Sequence, residues 1–117
     1  MVDEFCMEDA DFCIVAYGSV GRSARQAVKM LRQEGVKAGM IRPQILWPFP
    51  KFPVENMLER VSHVLVPEMN VGQLRKEVER LACMPRGMIQ GLNVLDPSFI
   101  TAEQIHDKAM EMISKQK

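Results

Sequence analysis

The sequence predicts an α/β fold, a parallel sheet sandwiched between helices, on three observations. Short apolar runs alternate with stretches of helical periodicity. The links between them are short, and the first three runs stop at Gly18, Pro43 and Pro67. Alternation of this kind implies right-handed crossovers between parallel strands. Length agrees, because 117 residues suit one domain that buries roughly two thirds of the surface its unfolded chain exposes.

Each element has its own signature. Phe12–Tyr17 is continuously apolar, as a strand covered on both faces should be. Val20, Ala24, Ala27, Val28 and Leu31 then recur at helical spacing until Gly35 stops the helix. A second strand runs from Val36 to Arg42, and a proline-rich connection leads to a short helix expected from Pro53, with Val54, Met57, Leu58 and Val61 on one stripe. His63–Val66 is the third strand. Asn70 and Gln73 resemble a capping box ahead of Val71, Leu74, Val78 and Leu81, and Gly87 marks the exit. Met88–Leu92 is a fourth strand. The last helix has the clearest start: Thr101 and Gln104 form a capping box, with Ile100 and Ile105 as a hydrophobic staple. Val2–Met7 is polar enough to be ambiguous and adds at most an edge strand.

Composition excludes several classes of function. Fifteen Lys and Arg balance fifteen Asp and Glu, so no net field steers the protein onto nucleic acid or an anionic membrane. The longest apolar run falls far short of the roughly twenty residues a membrane helix needs. Asp3, Glu4, Glu8 and Asp9 stand where a secretory signal would carry positive charge, so a cytoplasmic location is expected. Three cysteines, Cys6, Cys13 and Cys83, form no C-x-x-C pair and suit neither a disulfide framework nor a metal site. Cys13, inside a strand pattern, reads as a small core hydrophobe.

Candidate sites gather at strand ends. Gly18, Ser19, Gly21, Arg22 and Ser23 lie between a buried strand and a helix, where free amides and the helix dipole favour an anion. The stretch lacks the third glycine of G-x-G-x-x-G and the ending of a P-loop, so weak anion binding competes with a plain strand-to-helix turn capped by serine. Met40–Pro53 holds four prolines and the only tryptophan, Trp47, near Phe49 and Phe52; it is either a contact surface or a loop folded over its own core. Glu68, Asn70 and Gln73 leave another strand's carboxyl end. That strand is expected to neighbour the one before Trp47, which would merge the two segments into one interface. Glu68 alone is not a catalytic pair. His63 and His106 have no partner nucleophile in the sequence pattern, so no catalytic residue and no metal ligand is assigned.

Ala16-Tyr17-Gly18-Ser19, Ile45-Leu46-Trp47-Pro48-Phe49-Pro50 and Val64-Leu65-Val66-Pro67-Glu68-Met69-Asn70-Val71-Gly72-Gln73-Leu74 closely resemble the C-terminal domain of the alpha subunit of 2-oxoacid:ferredoxin oxidoreductases. The likeness runs in order from about Asp11 to the last helix. It implies a three-layer α/β/α, transketolase C-terminal-like domain over residues 1–117, with a mostly parallel five-stranded sheet and one antiparallel edge strand. It also implies an enzyme that decarboxylates a 2-oxoacid to an acyl-CoA and reduces ferredoxin. The motifs expected to hold thiamine diphosphate, Mg2+ and an iron–sulfur cluster are not in this sequence, so those groups are expected elsewhere in the holoenzyme.

The implied partners are the remaining alpha-subunit domains and the beta subunit, with ferredoxin, CoA and the 2-oxoacid met only through the holoenzyme. The chain alone is expected to be inactive, as an excised fragment or a separately encoded piece. Asn93–Glu103 departs from the family's usual Gly-x-Pro-Phe-Thr-Pro-Glu stretch, although Thr101 and Glu103 keep the helix start. Two alternatives stand beside this reading: the equivalent domain of a transketolase or 2-oxoacid dehydrogenase, and a small phosphate- or nucleotide-binding module using Gly18–Ser23.

Overall fold

Five strands form one mixed sheet in a computed structural model that describes residues 2–18, 20–43, 51–68, 76, 78–80, 89–93 and 100–114. In chain order the elements are β1 (Val2–Phe5), β2 (Phe12–Val15), α1 (Val20–Gln33), β3 (Ala38–Pro43), α2 (Lys51–Arg60), β4 (His63–Glu68), β5 (Ile89–Asn93) and α3 (Ala102–Ser114). Residues 78–80, between β4 and β5, are also helical. The strands lie in the order β1-β3-β2-β4-β5. All pair in parallel except β1, which runs antiparallel to β3 with Val2 opposite Pro43 and Phe5 opposite Met40. The ambiguous N-terminal segment is therefore the antiparallel edge.

Side-chain alternation along the central strands builds two cores, one on each face of the sheet. Phe12 and Ile14 of β2, Met40 of β3 and Leu65 of β4 pack with Ala24, Val28 and Leu31 of α1 and with Ile105, Ala109 and Met112 of α3. Cys13, Val15, Ile41, Val64 and Val66 take the opposite face, against Met57 and Leu58 of α2, Val61 just after it, and Val78. Phe12–Val15 is buried throughout because both faces of β2 are covered. The result is the three-layer arrangement read from the sequence.

The helix ends follow local rules. Gly35 adopts φ +86°, and the Gly35 and Val36 amides donate to the carbonyls of Arg32 and Leu31, which closes α1 with a Schellman motif. At α3 the Thr101 amide donates to Gln104 Oε1 (3.0 Å) and the Gln104 amide to Thr101 Oγ1 (3.1 Å), the reciprocal capping box. α2 begins at Lys51, two residues before Pro53, which sits in the first turn where no intrahelical N–H is required.

One expectation is corrected. β3 and β4 are not neighbours, because β2 lies between them. The crossover through α2 passes over β2, so the segments after β3 and β4 leave the same edge about 10 Å apart, two strand spacings. Alternate winding of this kind puts the switch point of the sheet between β2 and β4.

Candidate functional site at the carboxyl edge of the sheet

The carboxyl ends of β2, β3 and β4 share one edge, and the described candidates Gly18, Gly21, Arg22, Ser23 and Glu68 lie there. Gly18 follows β2 with φ +69°, a conformation that favours glycine, and its carbonyl accepts the Gly21 amide at 3.0 Å. That bond makes the turn tight and takes the Gly21 amide out of use for a ligand. Ser23 is partly buried and Arg22 is exposed. Ser19 lies outside the described residues, as do Trp47, Phe49, Asn70 and Gln73. Glu68 is described as the last residue of β4. Tyr17, just before the turn, is 42% exposed, which places a large ring at the mouth of this edge.

Arg42, a residue the sequence reading passed over, joins the α1 turn from β3. A Cβ at Gly21 would stand 2.8 Å from Arg42 Cδ and 2.9 Å from its Nε, so the arginine stem lies directly on the glycine. Arg25, one helical turn beyond Arg22, holds its guanidinium 4.4 Å from the centre of the Phe5 ring, a cation–π contact to β1. Arg22, Arg25 and Arg42 border a cavity of about 230 Å³. Nothing local in the sequence signals this pairing, since Arg42 and Gly21 are twenty-one positions apart and meet only through the β2–β3 ladder.

The opposite edge is built differently. Arg32 donates to the carbonyls of Ala38 and Cys6, each at 2.7 Å, and pairs with Asp9 at 2.7 Å, which holds the Asp9 carboxyl below the usual carboxylate range. Ser62 bonds through both its amide (2.8 Å) and its hydroxyl (3.1 Å) to the Asp11 carbonyl. Its hydroxyl also lies 3.1 Å from His63 Nδ1, so His63 does have a hydroxyl neighbour that the sequence reading overlooked. With that hydroxyl donating to Asp11, Nδ1 carries the proton and Nε2 is left buried without a partner.

His63 is 6% exposed and stacks on Phe12, and burial pushes its pKa below the ordinary histidine value against a weaker opposing pull from Asp11. A cavity of about 380 Å³ opens here, but Ser62 and His63 in its lining already bond to each other. His106 differs: Glu34, then Asp107, raise its pKa by hydrogen bonding to the ring.

Cys13 is fully buried and its environment raises the thiol pKa, as expected of an inert core residue. Among the described residues no three His, Cys, Asp or Glu side chains come together as metal ligands. No described helix is long and apolar enough to cross a membrane.

Comparison with known proteins places this geometry. The chain covers 97% of its length on part of the 2-oxoglutarate:ferredoxin oxidoreductase from Magnetococcus marinus, with a TM-score of 0.84 and 26% identity, and spans 20% of that chain. A split-gene transketolase shares the fold at a TM-score of 0.79 and 20% identity, over 97% of this chain and 41% of that one. Strand order, antiparallel edge and neighbours together define a transketolase-like α/β domain. Residues 10–105 match the model of the pyruvate:ferredoxin oxidoreductase core domain II, and the chain belongs to that family.

The 2-oxoglutarate synthase subunit KorA of Methanothermobacter thermautotrophicus is 44% identical over 81 residues, which is 69% of this chain and 22% of KorA. The ketoisovalerate oxidoreductase subunit VorB of the same organism is 31% identical over 110 residues, 94% of this chain and 31% of VorB. The chain thus spans between about a fifth and a third of these relatives. They bear out the resemblance to the ferredoxin-linked oxidoreductases and favour it over a free-standing nucleotide module.

Proposed function

We propose that the chain serves as an assembly domain of a 2-oxoacid:ferredoxin oxidoreductase, an enzyme that converts a 2-oxoacid to an acyl-CoA and reduces ferredoxin. The observation that carries this reading is the family match over residues 10–105. Thiamine diphosphate, Mg2+ and the iron–sulfur cluster then reside in the other domains of the alpha subunit or in the beta subunit, which are the partners of this chain. The compartment that fits this enzyme and this composition is the cytoplasm.

The interface belongs at the carboxyl edge. Trp47 and Phe49 supply rigid apolar area, with Glu68, Asn70 and Gln73 as a polar rim, in the usual division of a protein interface. The separation of β3 and β4 by β2 makes this surface broader than two adjacent loops would, so its contacts span the end of β2 as well.

Reconstitution tests the proposal. The purified chain mixed with the remaining subunits should co-elute with them and restore 2-oxoacid-dependent viologen reduction, while the chain alone shows none. Trp47→Ala should weaken that association by roughly 2 kcal/mol and leave the melting temperature of the free chain nearly unchanged. Turnover by the chain alone, or a large loss of stability with assembly intact, would contradict it.

A further inference from the structure

We propose that the cavity under the first turn of α1, walled by Arg22, Arg25 and Arg42, binds a phosphoryl group, either free or as the end of a small phosphate ester. The proposal goes beyond the assembly role and does not depend on it.

The charge arrangement is the first argument. α1 has no acidic residue in its first turn, so the positive end of its dipole is uncompensated there. Arg42 nonetheless lies on that turn, with its Nε 2.9 Å from where a Gly21 Cβ would be, and the Arg22 side chain springs from the same turn. Neither Arg22 nor Arg42 forms an ion pair with another described residue, in contrast to Arg32 and Asp9. Positive groups that line one cavity repel one another, and a shared anion reverses the sign of that interaction.

Carboxylates at the cavity do not already fill this role. Asp3 is directly opposite Arg42 in the β1–β3 ladder and is already engaged in an interaction of its own. Glu4 also borders the cavity, but strand alternation assigns it to the other face of β1. On the α1 face three guanidiniums therefore meet one carboxylate.

Geometry selects the ligand class. Guanidinium groups that border one cavity from a helix and a strand suit the several oxygens of a tetrahedral phosphoryl group, and Arg25 is held in place by its contact with Phe5. At about 230 Å³ the cavity is smaller than typical sites for whole drug-sized ligands, so it takes a small anion or the phosphate end of a larger molecule. Gly21 is the feature that makes room for Arg42. A methyl group there would displace the far part of a flexible side chain and not the backbone.

Calorimetry on the 117-residue chain at low ionic strength tests this, with inorganic phosphate, pyrophosphate and AMP as probes. One saturable site is expected. Tighter binding of AMP than of phosphate identifies an ester end as the occupant, and equal binding identifies free phosphate. Arg42→Gln should weaken binding about tenfold or more. Gly21→Ala keeps every charge and evicts only the Arg42 stem, so it should weaken binding comparably with the melting temperature held or raised. Lys29→Gln, on α1 but outside the cavity, should change nothing. No saturation at millimolar concentrations, or an equal loss with Lys29→Gln and Arg42→Gln, would overturn the proposal.

Discussion

The two edges of the sheet treat their polar groups in opposite ways. At the amino edge Arg32 ties α1 to the carbonyls of Cys6 and Ala38 and to Asp9, while Ser62 joins β4 to the Asp11 carbonyl. At the carboxyl edge Arg22 and Arg42 form no ion pair with another described residue, although Asp3 and Glu4 border the same cavity, and Tyr17 stands exposed. The larger of the two cavities described lies at the amino edge, where Ser62 in its lining bonds to the Asp11 carbonyl and to His63. The edge with uncommitted groups is also the one where parallel sheets place ligands and partners.

Two glycines make the contrast testable. A Cβ at Gly39 would meet the backbone carbonyl of Cys6 at 2.8 Å and Met7 Sδ at 2.6 Å, so Gly39→Ala should cost about 1–3 kcal/mol in urea unfolding. Gly21→Ala, which meets only the movable Arg42, should cost nothing measurable. Equal losses at both would erase the distinction between the edges. Arg32→Ala removes a charged donor from two carbonyls and should cost about 1–3 kcal/mol. Thr101→Ala breaks the capping box at the start of α3 and should cost about 1 kcal/mol, with phosphate affinity unchanged.

The histidines give the smallest effects, of opposite sign. His63 has a lowered pKa in the folded state, so the unfolded chain binds its proton more readily. Its contribution is full above the unfolded value of about 6.5 and is lost as pH falls below that toward the folded value. His106 has a raised pKa, so its contribution is full below about 6.5 and is lost as pH rises through the folded value. Urea melts between pH 5 and 8 should show His63→Gln flattening the acid limb and His106→Gln the alkaline one. The same limb flattened by both would refute the assignment.

Legibility in the sequence tracked the range of the interactions. The capping box at Thr101 and Gln104 was readable because its partners are three residues apart, and the α1 terminus because Gly35 carries its own signal. Phe12–Val15 showed its central position as an unbroken apolar run. Strand order is not readable, since local pattern does not say that the crossover from β3 to β4 passes β2. Arg32 and Arg42 were missed for the same reason, because their partners lie on other elements of the fold. The surroundings of His63 are not legible either, because its stacking on Phe12 arises from the parallel register of β2 and β4. The Gly18 turn was found from sequence, but the bond that occupies the Gly21 amide was not foreseen.

Hydrogen–deuterium exchange of the chain, free and assembled with the remaining oxidoreductase subunits, is the most direct test of the claim that the carboxyl edge is the working edge. Assembly should slow exchange across residues 16–23, 40–53 and 66–74 and leave 6–11, 34–37 and 61–63 unchanged. Protection confined to the amino edge, or no stable assembly with those subunits, would contradict the account.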